Sequence, residues 1–170
     1  MEGWRFLPGM PQDRVQVLAL YGACAALPGC TWSWDYPNGD TFDDDIAHGW
    51  LYCLWEGAQI IAAVSVGPFG EHVDDGVPWT AARNPWEFAR LGVRPDRAGQ
   101  GIGGYLVGRV IGLTREGGGD ALRILVSPGN PAAVALYRRA GLRTVAEVDR
   151  FDHHWLCQEL DPLPQPSESH

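Results

Sequence analysis

The chain has 170 residues, 45% hydrophobic and 20% charged, the size and balance of one domain with its own core and no room for a second. A net charge of −8 and a pI of about 4.9 argue against electrostatic binding to nucleic acid or to an anionic membrane surface. All thirteen basic residues are arginine, so there is no lysine to form a Schiff base or to cradle phosphate.

In chain order, a short strand near Trp4 to Phe6 precedes an amphipathic helix over Asp13 to Leu27. Its expected apolar face is Val15, Leu18, Ala19, Ala23 and Ala26, and Leu27-Pro28-Gly29 stops it. Residues 30–49 are irregular and aromatic, then acidic, with a short helix expected at Thr41 to Ala47. Trp50 to Trp55 and Ala58 to Val66 are β-rich runs around Glu56-Gly57, the pattern of an antiparallel hairpin. Residues 67–85, rich in Gly, Pro and Asp, have no period and read as a long loop.

From Trp86 the order is strand (Trp86 to Val93), glycine loop (Arg97 to Gly104), helix (Gly104 to Arg115), a break at Gly117-Gly118-Gly119, and strand (Ala121 to Val126). A second helix over Asn130 to Ala140 has Asn130 as N-cap, Pro131 at its first position and Gly141 as left-handed cap. Strands near Leu142 to Val148 and His153 to Leu160 close the domain, taken as residues 1–160, and residues 161–170 read as a disordered tail.

No apolar stretch approaches the ~20 residues of a membrane helix. The start Met1 to Phe6 lacks the basic and apolar regions of a secretory signal, so the expected location is the cytoplasm. Cys24, Cys30, Cys53 and Cys157 show no CxxC spacing, and the five histidines show no metal-ligand spacing or acidic partner pattern, so no metal is expected. Charge is uneven: residues 1–82 hold two arginines and eleven acids, net −9, and residues 83–170 hold eleven arginines and ten acids, net +1.

Gly99-Gln100-Gly101-Ile102-Gly103-Gly104 formally satisfies GxGxxG, the dinucleotide loop of nucleotide-binding oxidoreductases. Such a loop follows its strand at once and has an acid ending the next strand; here residues intervene and that strand ends at Val126-Ser127. What remains is a loop whose backbone a diphosphate can approach, at the start of a helix whose N–H groups favour anions. A glycine turn serving only packing is the plain alternative.

The segments Leu91-Gly92-Val93-Arg94-Pro95-Asp96-Arg97-Ala98-Gly99-Gln100-Gly101-Ile102-Gly103 and Asn130-Pro131-Ala132-Ala133-Val134-Ala135-Leu136-Tyr137 through Leu142 resemble two ordered motifs of the GNAT superfamily of N-acetyltransferases. The resemblance is clear over about residues 86–148 and implies an α+β fold, a mixed, mostly antiparallel sheet of six or seven strands flanked by helices. It implies acetyl-CoA as acyl donor, held by Leu91, Gly92, Val93, Arg97, Ala98, Gly99, Gly101, Ile102, Gly103, Gly104 and Asn130. Ala98 departs from the family's loop, which carries Gln or Arg there, with Arg97 one residue earlier.

The resemblance further implies Tyr137 as the acid that protonates the departing thiolate and Glu87 as the base that deprotonates the amine, with direct transfer and no acyl-enzyme. The acceptor would be an amine of a small molecule or peptide, and self-association as a homodimer stays open. Trp32, Trp34 and Tyr36 alternate, so an extended segment would set all three on one face, in the region the family uses for its acceptor. Plain readings stand beside these: Tyr137 packed on the sheet with a surface hydroxyl, Glu87 facing solvent or paired with Arg90, and the tryptophans as a cover on the core. A non-catalytic acyl-CoA sensor would use the same glycine loop without needing Tyr137.

Overall fold

The computed structural model describes residues 3–33, 35–72 and 75–164; Trp34 and residues 165–170 of the expected tail lie outside them. Seven strands are hydrogen-bonded in the order β1-β2-β3-β4-β5-β7-β6. The chain folds into two compact units, residues 1–66 with 89–106, and residues 67–88 with 107–170.

In the first unit, β1 (Trp4–Pro8) pairs antiparallel with β2 (Leu51–Glu56), and β2 with β3 (Gln59–Gly67). The hairpin turns at Gly57, whose φ of 59° is the left-handed conformation that a tight β-turn needs. Helix α1 (Arg14–Ala25) buries Val17, Leu20, Tyr21 and Cys24, one face at i, i+3, i+4 and i+7, in a core cluster with Leu51 and Cys53 of β2 and Ile60 and Ala63 of β3. The expected face was a different one, and Val15 is 82% exposed. The helix is apolar nearly all round, so spacing alone does not select a stripe; the side that carries the larger Leu20 and Tyr21 gains more by burial.

Helix α2 (Gly39–His48) starts earlier than its acidic run suggests, because Asn38 caps it by accepting a hydrogen bond from the Thr41 N–H at 3.0 Å. It buries Phe42 and Asp45, and Gly49, at φ 72°, ends it. The first third of the glycine-loop helix, α3 (Ile102–Glu116), also belongs to this unit.

In the second unit the start of β4 (Pro85–Val93) runs parallel to β5 (Ala121–Val126), from Pro85 opposite Ala121 to Glu87 opposite Arg123. β5 pairs antiparallel with β7 (His153–Leu160), and β7 with β6 (Arg143–Arg150). The break after α3 has a packing cause: a Cβ on Gly117 would lie 2.2 Å from the Trp86 ring, and one on Gly119 2.7 Å from it. Helix α4 (Pro131–Arg139) has its sequence-expected limits, with Asn130 Oδ1 accepting from the Ala133 N–H at 3.2 Å.

The described residues 68–72 and 75–84 have no regular structure, yet polar clamps hold them. Glu87 accepts from the N–H groups of Gly70 and Glu71, Glu159 from that of Thr80, and Asp120 from those of Arg83 and Asn84. Arg123 donates to the carbonyls of His72 and Thr80, and Arg150 to that of Asp75. Arg123 and Glu159 are themselves buried, so each clamp also satisfies a charge that could not be left unpaired.

Candidate active site

Glu87 lies on β4 and is 2% exposed. It neither faces solvent nor pairs with Arg90. Its Oε2 accepts from Gly70 N at 2.8 Å and Glu71 N at 3.3 Å, and its Oε1 is buried without a hydrogen-bond partner. Burial first, then the nearby Glu71 charge, push its pKa up to about 7, against the N–H bonds from the loop that pull it down. A carboxylate poised there switches protonation state at neutral pH, the property a general base needs.

The loop brings further titratable groups to Glu87. His72 Nε2 is 3.6 Å from Glu87 Oε1, and His72 Nδ1 is 3.0 Å from Asp75 Oδ2. Burial lowers the His72 pKa below that of a free imidazole. Asp75 is partly desolvated, which raises its pKa, but the Val77 N–H, the Trp79 indole and His72 outweigh that and hold it below the usual range. The sequence expectation that the histidines lack acidic partners is therefore corrected for His72, and also for His154, whose ring nitrogens meet Glu147 and Asp149 at 3.0 and 2.8 Å. Folding makes the longer-range partnerships: Glu87 is fifteen residues from His72 in sequence, and Glu147 reaches His154 only across the β6–β7 pairing, whereas Asp75 stands just three residues after His72.

Tyr137 is 5% exposed on α4, and its ring meets Phe88 edge-on at a centroid distance of 5.2 Å. Burial raises its hydroxyl pKa, so it stays protonated across neutral pH. Phe88 and Glu87 are consecutive on a strand and point to opposite faces, so Tyr137 packs on the face away from the Glu87 carboxylate.

In the first unit, β4 carries Arg90 with φ 52°, a left-handed backbone that breaks the extended course of the strand. Surrounding groups fix that conformation: Arg90 donates to both carboxylate oxygens of Asp45, at 3.0 and 2.7 Å, and to the Tyr36 hydroxyl at 3.2 Å. Asp45, 1% exposed, accepts a further bond from Ser65. Sequence reasoning offered Arg90 only as a partner for Glu87 and missed this cluster, whose one local signal was an acid inside the Asp43-Asp44-Asp45 run.

Trp32 packs on the first unit's core, edge-on to Tyr21 at 5.6 Å, and a Cβ on Gly92 would lie 3.1 Å from its ring. The segment is not extended as expected: Ser33 and Tyr36 bond each other's backbone, Ser33 N to Tyr36 O at 2.9 Å and Tyr36 N to Ser33 O at 3.4 Å. Tyr36 is 48% exposed, and Trp34 lies outside the described residues.

Gly99 and Gly101 take φ values of 80° and 79°, and no atom lies within 4 Å of where a Cβ would stand on either. The first α3 hydrogen bond is Tyr105 N to Gly101 O, at 3.1 Å, which leaves the Ile102, Gly103 and Gly104 N–H groups at the helix start. Open glycine backbone beside these donors fits a diphosphate. Helix α3 begins at Ile102, so Gly103 and Gly104 belong to its first turn rather than to the loop expected from sequence. Ala98 offers no side-chain donor, and Arg97 is paired with Glu56. Cys24 Sγ lies 3.4 Å from the Val93 carbonyl. Among the described residues no helix is long and apolar enough to cross a membrane.

Known proteins share both the sequence pattern and the fold. Over 56 residues, 33% of this chain, the sequence is 45% identical to a mycothiol acetyltransferase of Clavibacter sepedonicus; that match covers 18% of the relative, so the likeness is to a small part of it. A GNAT-family acetyltransferase of Streptococcus agalactiae 2603 superposes with a TM-score of 0.79 over 97% of this chain and 98% of that one, at 17% identity. A Salmonella typhimurium structure solved with its cofactor acetyl-CoA gives a TM-score of 0.71 over 98% of both chains at 15% identity. At these identities the structural likenesses establish the fold, while the model of the acetyltransferase (GNAT) family matches residues 20–142, well over half of the sequence. The chain belongs to the acetyltransferase (GNAT) family.

Proposed function

We propose that this chain, with residues 1–160 as its working domain, transfers the acetyl group of acetyl-CoA directly to an amine of a small molecule or peptide. The observation that carries the reading is Glu87, a buried carboxylate poised at about pH 7 on the strand that leads into the cofactor motif. Bound acetyl-CoA supplies an activated acyl group. Its diphosphate would rest on the backbone of Gly99 to Gly104, with Arg97 released from Glu56 as the remaining side-chain donor in place of the residue absent at Ala98. Asn130 would touch the donor's chain while continuing to cap α4.

Glu87 takes the proton of the ammonium acceptor, directly or through a water, and leaves a neutral nucleophile. The backbone of Leu91, Gly92 and Val93, beyond the β4–β5 pairing that runs from Pro85 to Glu87, would offer an N–H group to charge developing on the acyl oxygen. Tyr137 holds a proton for the departing thiolate. Base and acid stand on opposite faces of β4, so the reading requires a break in the sheet at this strand, and the left-handed Arg90 supports one. Trp32, Trp34 and Tyr36 would border the acceptor.

Titration calorimetry with acetyl-CoA, followed by a thiol-release screen over small amines, mycothiol-related compounds and peptides, tests the reading. Micromolar binding with turnover of an amine is expected. Binding without turnover of any amine would favour an acyl-CoA sensor, and no binding would overturn both.

A further inference from the structure

One group of side chains in the second unit exceeds what acetyl transfer requires. One ligand atom from each of Glu71, His72 and Glu87 lies within 4.8 Å of the others. The His72 Nε2 to Glu87 Oε1 distance of 3.6 Å is longer than a hydrogen bond. It is close to the ~3.4 Å edge of a tetrahedron built on metal bonds of ~2.1 Å to nitrogen and oxygen.

The lone pairs point inward. Asp75 is bonded by the Val77 N–H and the Trp79 indole and acts as an acceptor, so the proton of neutral His72 sits on Nδ1, toward Asp75, and Nε2 presents a lone pair to Glu87. Glu87 Oε1, in a residue 2% exposed, has no hydrogen-bond partner. A neutral nitrogen and an orphaned carboxylate oxygen therefore stand side by side at about the spacing of two ligands on one tetrahedral ion. The Asp75 carboxylate behind His72 is the support that metal-bound imidazoles commonly have, fixing tautomer and ring orientation. Glu71 is exposed and supplies a third oxygen from the solvent side, where an ion enters and a water completes the shell.

We propose that Glu71, His72 and Glu87 form a binding site for a divalent cation of the zinc class, through Nε2 of His72 and one carboxylate oxygen of each glutamate. One imidazole with two carboxylates suits zinc or cobalt; magnesium would need an octahedral set dominated by oxygen. An ion bound there occupies the carboxylate assigned above as the base, so metal binding and acetyl transfer exclude each other. That consequence rests on the proposed function, whereas the binding does not.

The test is titration of the full-length, chelator-stripped protein with Co²⁺, read by the visible bands of a tetrahedral site, with Zn²⁺ as displacing ion and equilibrium dialysis for stoichiometry. One equivalent should bind. His72→Ala should abolish the bands, Glu71→Gln, at an exposed position, should weaken binding at least tenfold, and Asp75→Asn should weaken it 10–100-fold. His154→Ala should change nothing, although His154 also has two carboxylate neighbours. No stoichiometric binding, unchanged binding in both His72→Ala and Glu71→Gln, loss on His154→Ala, or a sulfur-to-cobalt band would overturn the site.

Discussion

With its pKa pushed up to about 7, Glu87 is mostly protonated at pH 6 and mostly ionised at pH 8. kcat/KM for acetyl transfer should therefore rise tenfold per pH unit below about 7 and level off above it, and Glu87→Gln should lose that inflection together with about 10²-fold or more of the rate. The same residue leaves a mark on stability. Its folded pKa lies above the ordinary carboxylate value, so the native chain keeps a proton that the unfolded chain has released, and stability falls as pH rises from about 4.5 to 7. Urea denaturation of Glu87→Gln across that window should show a flatter profile. Tyr137→Phe should lower turnover by about 10²-fold with acetyl-CoA affinity nearly unchanged, since only the proton donor is removed; unchanged turnover in a stopped assay would remove Tyr137 as the acid. Both residues could be proposed from the chain, Tyr137 inside one family motif and Glu87 on the strand that leads into the other. His72, Asp75 and Arg90 could not, because most of their partners lie 15 to 75 residues away and meet them only through loop and sheet geometry.

Among the elements, β4 depends most on a distant one. The left-handed Arg90 in its middle is retained by a bidentate pair with Asp45 on α2, itself buried. Asp45→Ala leaves a guanidinium without its carboxylate partner, and a loss of about 3–5 kcal/mol is expected in chemical denaturation. A loss below 1 kcal/mol would mean that Arg90 finds solvent instead. Helix limits illustrate what local signals can specify. Asn130 and Pro131 announced the start of α4 because a cap is a short-range contact. The buried face of α1 was misplaced because most of its residues are apolar, and only the sheet packed against it selects Val17, Leu20, Tyr21 and Cys24.

For the whole molecule, the strand order β1-β2-β3-β4-β5-β7-β6 places the last two strands out of sequence order, a topology that periodicity alone cannot give and the family resemblance could. The excess of acids in residues 1–82 is partly spent on internal contacts, Asp45 with Arg90 and Glu56 with Arg97, so the surface field is weaker than the net of −9 implies.

Many of the clamps on residues 68–84 act on their main chain. Glu87, Glu159 and Asp120 receive its N–H groups, and Arg123 and Arg150 reach its carbonyls. Every residue type has a carbonyl, and every type except proline has an N–H. Thr80→Ala and Thr80→Pro both lose the hydroxyl, but only proline also withdraws the N–H from buried Glu159, so the proline variant should be less stable than the alanine one by about 1–3 kcal/mol in thermal unfolding. At the positions held through the main chain alone, such a loop can exchange side chains and keep its path, a latitude that would let evolution retune the chemistry bordering Glu87 while the scaffold stays fixed.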